Sequence, residues 1–164
     1  MYVSALQEPR LLKHEDERAR FQSGNAEIDD WFHRFAWQNH RARNARVFVT
    51  TQEPETLGFY ALAMGAVSRS DLPEALKPGR RPDPCPVLIL ARLAVDQRAQ
   101  GRGIGAALLK DALLRAYNLS NEVGFAALLV HCANDQAREF YLSQSSQFVP
   151  CPGADNHLVL PLRA

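Results

Sequence analysis

A glycine-rich turn between a strand pattern and a helix pattern is the part of this chain best suited to chemistry. The hexamer Gln100-Gly101-Arg102-Gly103-Ile104-Gly105 follows the apolar run 87–95 and precedes the helical run 104–117. Such a turn leaves the first N–H groups of the helix without partners, and the helix dipole attracts anions to that end. The sequence therefore predicts a phosphate-binding turn at residues 100–105.

The end of the preceding apolar run, Leu93-Ala94-Val95, offers a second ligand contact. A strand that splays from its neighbour leaves N–H and C=O groups free, and an extended ligand arm can pair with them like an added strand. A ligand with a pyrophosphate at the glycines and a long amide-bearing arm along residues 93–95 fits both features. Coenzyme A has that shape, whereas a plain nucleotide would not need the strand.

Tyr141 is the candidate proton donor. If Asn134 opens a helix, the two residues are seven apart and share a face. We expect Phe140 to point to the core and Tyr141 to lean toward a cleft. A phenol, with an ordinary pKa of about 10, can protonate a departing thiolate at neutral pH. The alternative is that Tyr141 only packs, with its hydroxyl at the surface.

Two further polar residues interrupt or end apolar runs. Arg92 lies inside the run 87–95, and a buried arginine requires a partner. The sequence leaves open whether it pairs with an acid such as Asp96 or Glu139, or faces an acceptor cleft and meets phosphate. His131 ends another apolar run and could act as a base, with a structural role as the alternative.

The segment 33–46 combines positive charge with an aromatic ring. It holds Trp37, two histidines and no acid, together with four arginines: Arg34, Arg41, Arg43 and Arg46. This local charge is the footprint expected for a phosphate backbone, and Arg80 and Arg81 could extend it. The alternative is a solvated helix end, where arginine also favours the C-terminal dipole.

The elements that must position these groups alternate between helix and strand periodicity. Ser23 or Asn25 is expected to cap the first helix, whose apolar face has i, i+3, i+4, i+7 spacing. A proline-rich surface excursion over 68–86 separates the first strands from the rest. The pattern predicts a helix from about 21, a hairpin of 45–51 and 57–67, a strand at 87–95, a helix at 104–117, a strand at 125–131, a helix at 134–144 and a strand at 156–162. This order predicts a mixed sheet with helices on it, of the α/β or α+β class.

Composition sets the broad class. A chain of 164 residues with 46% hydrophobic and 23% charged residues suits one domain over 1–164. The net charge of +1 gives no global attraction to nucleic acid or membrane. The three cysteines have neither zinc spacing nor a disulfide pattern, and no signal peptide or membrane-length apolar run is present, so we expect a cytoplasmic protein.

Three of these elements together resemble the GNAT acetyltransferase superfamily. Residues 90–96 are similar to its acyl-CoA strand, residues 100–105 to its Q/R-x-x-G-x-G/A pyrophosphate loop, and residues 134–141 to its Asn…Tyr helix. The resemblance covers about residues 20–163 and implies splayed central strands flanked by helices, with acetyl-CoA as co-substrate and no metal. It implies cofactor contacts at Leu93, Ala94, Val95, Gln100, Gly101, Arg102, Gly103, Ile104, Gly105, Asn134, Phe140 and Tyr141.

Further motifs are similar to one GNAT branch, the toxin acetyltransferases of type II toxin–antitoxin pairs. They lie at 23–32, 58–62, 71–73, 82–86 and 127–131. The branch implies acetylation of the α-amino group of aminoacyl-tRNA, a block of translation, a ribbon-helix-helix antitoxin and a possible homodimer. The stretch 142–148 departs from the branch because it is longer and lacks a glycine, so we expect a different acceptor-side wall.

The resemblance also implies a direct transfer. The neutral amine attacks the thioester carbonyl, a backbone N–H near Val95 stabilises the oxyanion, and Tyr141 protonates the thiolate. The acceptor would contact Arg34, Arg41, Arg43, Arg46 and Arg92. Two alternatives stay open: a GNAT enzyme acting on a small amine or a protein N-terminus, and an acyl-CoA-binding domain without catalysis.

Overall fold

The computed structural model describes residues 4–77, 79 and 81–162, without the side chain of Asp155. Short 3-10 turns cover Arg69–Asp71, Glu74–Leu76 and Gln97–Ala99. The strands and helices, in chain order, are β1 (Arg10–Leu11), α1 (Ala26–Arg34), α2 (Ala36–Ala42), β2 (Arg46–Gln52), β3 (Glu55–Val67), β4 (Cys85–Val95), α3 (Ile104–Ser120), β5 (Ala127–His131), α4 (Asp135–Gln144), β6 (Val149–Cys151) and β7 (Ala154–Pro161).

The strands form a mixed seven-stranded sheet in the order β1-β2-β3-β4-β5-β7-β6. The β2–β3 hairpin is antiparallel, as predicted, while β4 and β5 run parallel. A parallel pair needs a long crossover, and α3 supplies it. The predicted α/β class with a mixed sheet is therefore confirmed.

The pairing of β4 with β5 ends well before β4 does. The paired residues are Leu88–Leu128, Ile89–Leu129 and Leu90–Val130. β5 stops at His131, whereas β4 continues to Val95. The last residues of β4 therefore extend beyond the paired part of β5, which is the arrangement that the predicted splay requires.

The chain divides into two compact units, which share β3, β4 and α3. The first unit contains the described residues up to Ala63 together with Arg92–Ala112. In it, α1 and α2 cover β2 and β3 with an aromatic core in which Phe32 stacks on Phe59 at 4.1 Å between ring centroids. The predicted helix is interrupted at Phe35, which separates α1 from α2. Asn25, one of the two predicted caps, accepts hydrogen bonds from the N–H groups of Glu27 and Ile28.

The second unit contains Met64–Ala91 and the residues from Leu113 onward. The segment 68–86 was expected to be a surface excursion, but Leu72 and Leu76 are buried in a core with Cys85 and Val87. Two apolar side chains next to the first prolines of this segment thus anchor it. The prediction of one domain over 1–164 stays a prediction. None of the described helices is long and apolar enough to cross a membrane.

Candidate functional site

The glycine turn has the open backbone that a bound phosphate requires. Gly101 has φ +80° and Gly103 has φ +78°, in the left-handed region that favours glycine. A Cβ built on either glycine would meet no atom within 4 Å. The turn leads directly into α3, so the N–H groups at the start of this helix lie beside uncovered backbone. These residues fit a phosphate-bearing ligand.

The side chains around the glycines differ in what they can contact. Ile104 is only 3% exposed and packs against the backbone of Gly58, so its main chain alone could reach a ligand. Arg102 is exposed, with one long hydrogen bond of 3.4 Å to Gln52 Oε1. Of these two predicted cofactor contacts, Arg102 is the one whose side chain is available.

Gln100 fastens the turn to two other segments. Its side-chain nitrogen donates to the carbonyl oxygens of Ser23 at 2.9 Å and Val95 at 3.1 Å. The amide has two hydrogens, and both are used by these carbonyls. The predicted ligand contact at Gln100 is therefore left to its backbone and its side-chain oxygen, while its side-chain nitrogen joins the end of β4 to the loop before α1.

Asp96 fastens the same loop from a buried position. It is 1% exposed and accepts hydrogen bonds from the backbone N–H groups of Gln22 and Arg98 and from the Arg98 guanidinium at 2.8 Å. Burial alone would raise the pKa of Asp96, but these hydrogen bonds together hold it below its usual value. The sequence analysis did not predict this role of Asp96, although the sequence places this aspartate directly after the apolar run 87–95.

The end of β4 alternates between core and partly open positions. Ala94 is buried in the aromatic core of the first unit, whereas Leu93 and Val95 are half-buried. Because successive side chains of a strand point to opposite faces, Leu93 and Val95 share the other face. Of the three predicted contacts, Ala94 can offer its backbone only.

Arg92 stacks on an aromatic ring. Its guanidinium carbon lies 4.2 Å from the centroid of the Trp31 ring. Of the partners left open for Arg92, Asp96 is excluded, because the Asp96 carboxylate is bound by Arg98. The other acid considered, Glu139, belongs to the second unit, and that pairing stays a prediction.

Of the adjacent residues Phe140 and Tyr141, Tyr141 is the buried one, whereas we expected Phe140 to point to the core. Tyr141 is 4% exposed, whereas Phe140 is half-buried. The Tyr141 ring packs near Phe148, and its hydroxyl has no hydrogen-bond partner among the described residues. Burial, and secondarily the Cys132 thiol, raises the pKa of Tyr141.

Asn134 is the N-cap residue of α4. Its side-chain oxygen accepts a hydrogen bond from the N–H of Ala137 at 2.8 Å. This cap fixes the start of the helix that carries Tyr141 two turns later. A contact between Asn134 and a ligand stays a prediction.

His131 ends β5 beside another histidine. Its Nδ1 lies 3.0 Å from His157 Nε2, so one ring donates to the other. Burial, followed by the charge of His131, lowers the pKa of His157. His131 is exposed and engaged in this pair, which agrees with the structural alternative, while a role as base stays untested. Within the described residues, no group of three or more His, Cys, Asp or Glu could hold a metal ion.

Two arginines of the basic segment are available for a ligand. Arg41 lies in the last turn of α2 and Arg43 follows the helix, and both side chains are exposed. In the described part of the first unit, neither guanidinium forms a hydrogen bond or salt bridge. Arg34 lies 3.4 Å from the Asp30 carboxylate, and Arg46 donates to the His40 carbonyl. The four arginines predicted to contact the acceptor therefore differ, because two of them already have a partner within the protein.

The two histidines of that segment differ in burial, because His40 is buried whereas His33 is exposed. His33 Nε2 lies 2.7 Å from the Phe21 carbonyl, and His40 Nδ1 accepts a hydrogen bond from the N–H of Val47. Burial, followed by the charges of the nearby arginines, lowers the pKa of His40 and keeps it neutral. The His40 ring therefore does not extend the basic surface. Arg80 lies outside the described residues, and Arg81 donates to the Leu76 carbonyl.

Comparison with known proteins identifies the family to which this chain belongs. Residues 43–144 match the family described as the acetyltransferase (GNAT) domain. The chain belongs to the GNAT acetyltransferase family. This confirms the resemblance noted from the motifs, and with it the enzyme class.

Relatives place this GNAT acetyltransferase in the toxin branch. It is 39% identical, over 90% of its own length and 89% of the relative's, to a tRNA-acetylating toxin of Mycobacterium tuberculosis. A structure of AtaT complexed with acetyl-methionyl-tRNAfMet is similar at TM-score 0.86 and 27% identity, covering 96% of this chain and 95% of that one. A mutant AtaT bound to the C-terminus of the antitoxin AtaR and acetyl-CoA is similar at TM-score 0.77 and 26% identity, covering 96% and 93%.

Proposed function

We propose that this GNAT acetyltransferase moves the acetyl group of acetyl-CoA to the α-amino group of aminoacyl-tRNA, and that it acts as a translation-blocking toxin. The observation that carries the proposal is the open glycine turn at the start of α3, beyond the paired part of β4. The relatives supply the acceptor, because one is named for acetylating tRNA and another is solved with acetyl-methionyl-tRNA.

The donor is held by backbone groups. The N–H groups of Gly101, Gly103 and the first turn of α3 donate hydrogen bonds to the pyrophosphate. The helix dipole also favours negative charge there. Residues 93–95 pair with the amide-bearing arm, as a strand edge pairs with an added strand. Acetyl-CoA supplies the acetyl group as a reactive thioester.

Two groups of the chain act on the reaction itself. The backbone N–H near Val95 donates to the oxygen of the thioester carbonyl, which becomes negative as the amine attacks; one such donor contributes about 3–4 kcal/mol. A C–N bond forms, the C–S bond breaks, Tyr141 gives its proton to the sulfur, and the proton that the attacking nitrogen loses passes through water to restore the phenol. The α-amine of an aminoacyl ester is unusually acidic and loses its proton readily, so no buried base is needed.

The acceptor is bound through its phosphates. Exposed Arg41 and Arg43 supply positive charges that no acid of their own unit neutralises, and Arg34, Arg46 and Arg92 complete the predicted set. Because the acceptor is a tRNA, the reaction belongs in the cytoplasm. A ribbon-helix-helix antitoxin is the expected partner, since a related toxin is solved with the C-terminus of its antitoxin. A homodimer stays a prediction.

The proposal is tested by transfer of labelled acetyl groups to purified aminoacyl-tRNA at low salt. We expect label on aminoacyl-tRNA and none on deacylated tRNA or on tRNA whose amino acid is already N-acylated. No transfer to any aminoacyl-tRNA at low salt would overturn it. Turnover of a free amine or a peptide N-terminus at a comparable rate would favour the alternative of a small-molecule or protein acetyltransferase.

A further inference from the structure

Arg92 is held in place by a column of stacked rings. Its guanidinium lies over Trp31, Trp31 stacks on Phe59 at 6.1 Å and 16°, and Phe59 stacks on Phe32 at 4.1 Å and 8°. Phe32 and Phe59 are fully buried, so the base of the column is fixed. A cation–π contact of this kind fixes the plane of the guanidinium without using its N–H donors.

Those donors have no partner in the first unit. No carboxylate or carbonyl of the described residues there accepts a hydrogen bond from Arg92, although the side chain is half-buried. Burial lowers its pKa, and the charge of Glu27 raises it by a smaller amount. Glu27 is exposed and forms no salt bridge with Arg92. The result is a fixed, partly desolvated cation with unused donors, which is the arrangement of an anion receptor.

The position of Arg92 on β4 indicates which anion it receives. Arg92 precedes Val95 by three residues, about 10 Å along a strand. Its side chain is on the same face of β4 as that of Ala94, which packs against the helices α1 and α2. The side chains of Leu93 and Val95 point to the opposite face. An acceptor whose amine reaches the thioester beside Val95 would bring its nearest phosphate within a short distance of Arg92.

We propose that Arg92, held flat on Trp31, binds the phosphodiester that joins the last two nucleotides of the acceptor. This rests on the proposed function and adds the feature by which the enzyme recognises the end of the nucleic acid. A planar guanidinium matches two phosphate oxygens with two parallel hydrogen bonds, which gives direction as well as charge. Arg41 and Arg43 then bind phosphates of the tRNA body.

Two minimal acceptors test this directly. One is an aminoacyl-adenosine without phosphate, and the other is the same compound extended by a 5′-linked cytidine, which adds one phosphodiester. For the unaltered enzyme we expect kcat/KM to be about tenfold to a hundredfold higher for the dinucleotide, as for a hydrogen-bonded ionic contact. In Arg92→Gln this preference should disappear, while the KM for acetyl-CoA and the melting temperature stay unchanged.

The matched control is the double variant Arg41→Gln/Arg43→Gln, which should keep the preference for the dinucleotide but lose activity on whole tRNA. Three results would overturn the proposal: no preference in the unaltered enzyme, an equal loss on both minimal acceptors in Arg92→Gln, or a raised KM for acetyl-CoA, which would assign the arginine to a donor phosphate. Whole aminoacyl-tRNA is assayed alongside. If it too is not acetylated by the unaltered enzyme, the proposed function itself has failed.

Discussion

Tyr141 combines a buried ring with a hydroxyl that no described residue binds. A phenol used only for packing gains nothing from its oxygen, so Tyr141→Phe separates catalysis from structure. We expect kcat to fall about 10²–10⁴-fold, as for loss of a general acid, with unchanged affinity for acetyl-CoA. Calorimetric titration with acetyl-CoA and initial-rate assays give the two quantities.

The matched control for this variant is Tyr117→Phe, which removes the same oxygen from an exposed tyrosine of α3. It should have no effect on kcat. An unchanged kcat in Tyr141→Phe would instead favour a domain that binds acyl-CoA without catalysis.

The raised pKa of Tyr141 has a consequence for the pH dependence of the rate. The proton donor is active only while protonated, and a pKa above its ordinary value of about 10 keeps it protonated at higher pH. The rate should therefore rise as the acceptor amine loses its proton and then stay level to about pH 10. A decline already near pH 8 in kcat measured at saturating acceptor would contradict this assignment.

At the scale of elements, the glycine turn depends on backbone conformation. Gly101→Ala places a side chain at φ +80°, which costs about 1–2 kcal/mol, and puts a methyl group into the open space beside the turn. We expect a lower melting temperature together with an increase of about tenfold in the KM for acetyl-CoA.

Gly79→Ala is the control, because Gly79 has φ +90° and equally open surroundings outside the turn. It should lower stability alone; an equal rise in KM would argue against a phosphate site at Gly101.

Asp96 fixes the loop before α1 to the start of the turn. Asp96→Asn should lower the free energy of unfolding by about 2 kcal/mol at pH 7, because hydrogen bonds to a buried charge are lost. The folded-state pKa of Asp96 lies below its unfolded value, so its contribution is present above that unfolded value of about 3.9 and is lost as the pH falls further. Denaturant unfolding should show this difference in unfolding free energy between the unaltered protein and Asp96→Asn at pH 7, and a smaller difference near pH 3. A constant difference would mean that packing, not charge, explains the loss.

The elements that the sequence predicted well are those with strong local signals. The hairpin, the apolar run of β4, the turn and the capped helix α4 follow from periodicity, glycine and an N-cap residue. The break at Phe35 and the burial of Leu72 and Leu76 depend on packing against distant residues, which no local pattern encodes. The same holds for the side chain of Gln100, whose acceptors include a carbonyl far away in the sequence.

The candidate site was predicted by residue type more reliably than by orientation. The turn glycines have the expected conformation, but Tyr141 and Phe140 exchanged their expected burial. Which of two adjacent helix residues faces a core depends on where neighbouring elements pack. The ring partner of Arg92 comes from the distant helix α1, so composition could indicate that Arg92 needs a partner but not which one.

At the scale of the whole molecule, the net charge of +1 means that attraction to tRNA must come from a local surface. Arg41→Glu/Arg43→Glu should strongly raise the KM for aminoacyl-tRNA and flatten its salt dependence. The log–log slope should shrink by about one for each phosphate contact removed. Activity on an aminoacyl-adenosine should not change.

Lys77→Glu/Lys110→Glu serves as the control, since it makes the same change in net charge at two exposed positions outside the basic segment. A similar effect in the control variant would mean that only the overall charge matters. An unchanged salt slope in the arginine variant would argue for an acceptor other than tRNA.

The most direct measurement is mass spectrometry of the 3′-terminal aminoacyl-adenosine, released by nuclease from aminoacyl-tRNA after incubation with the enzyme and acetyl-CoA. We expect one added acetyl group on the α-nitrogen of the amino acid, absent when Tyr141→Phe replaces the enzyme over the same short time. An unmodified terminus, or an acetyl group on the nucleotide instead of the amino acid, would contradict it.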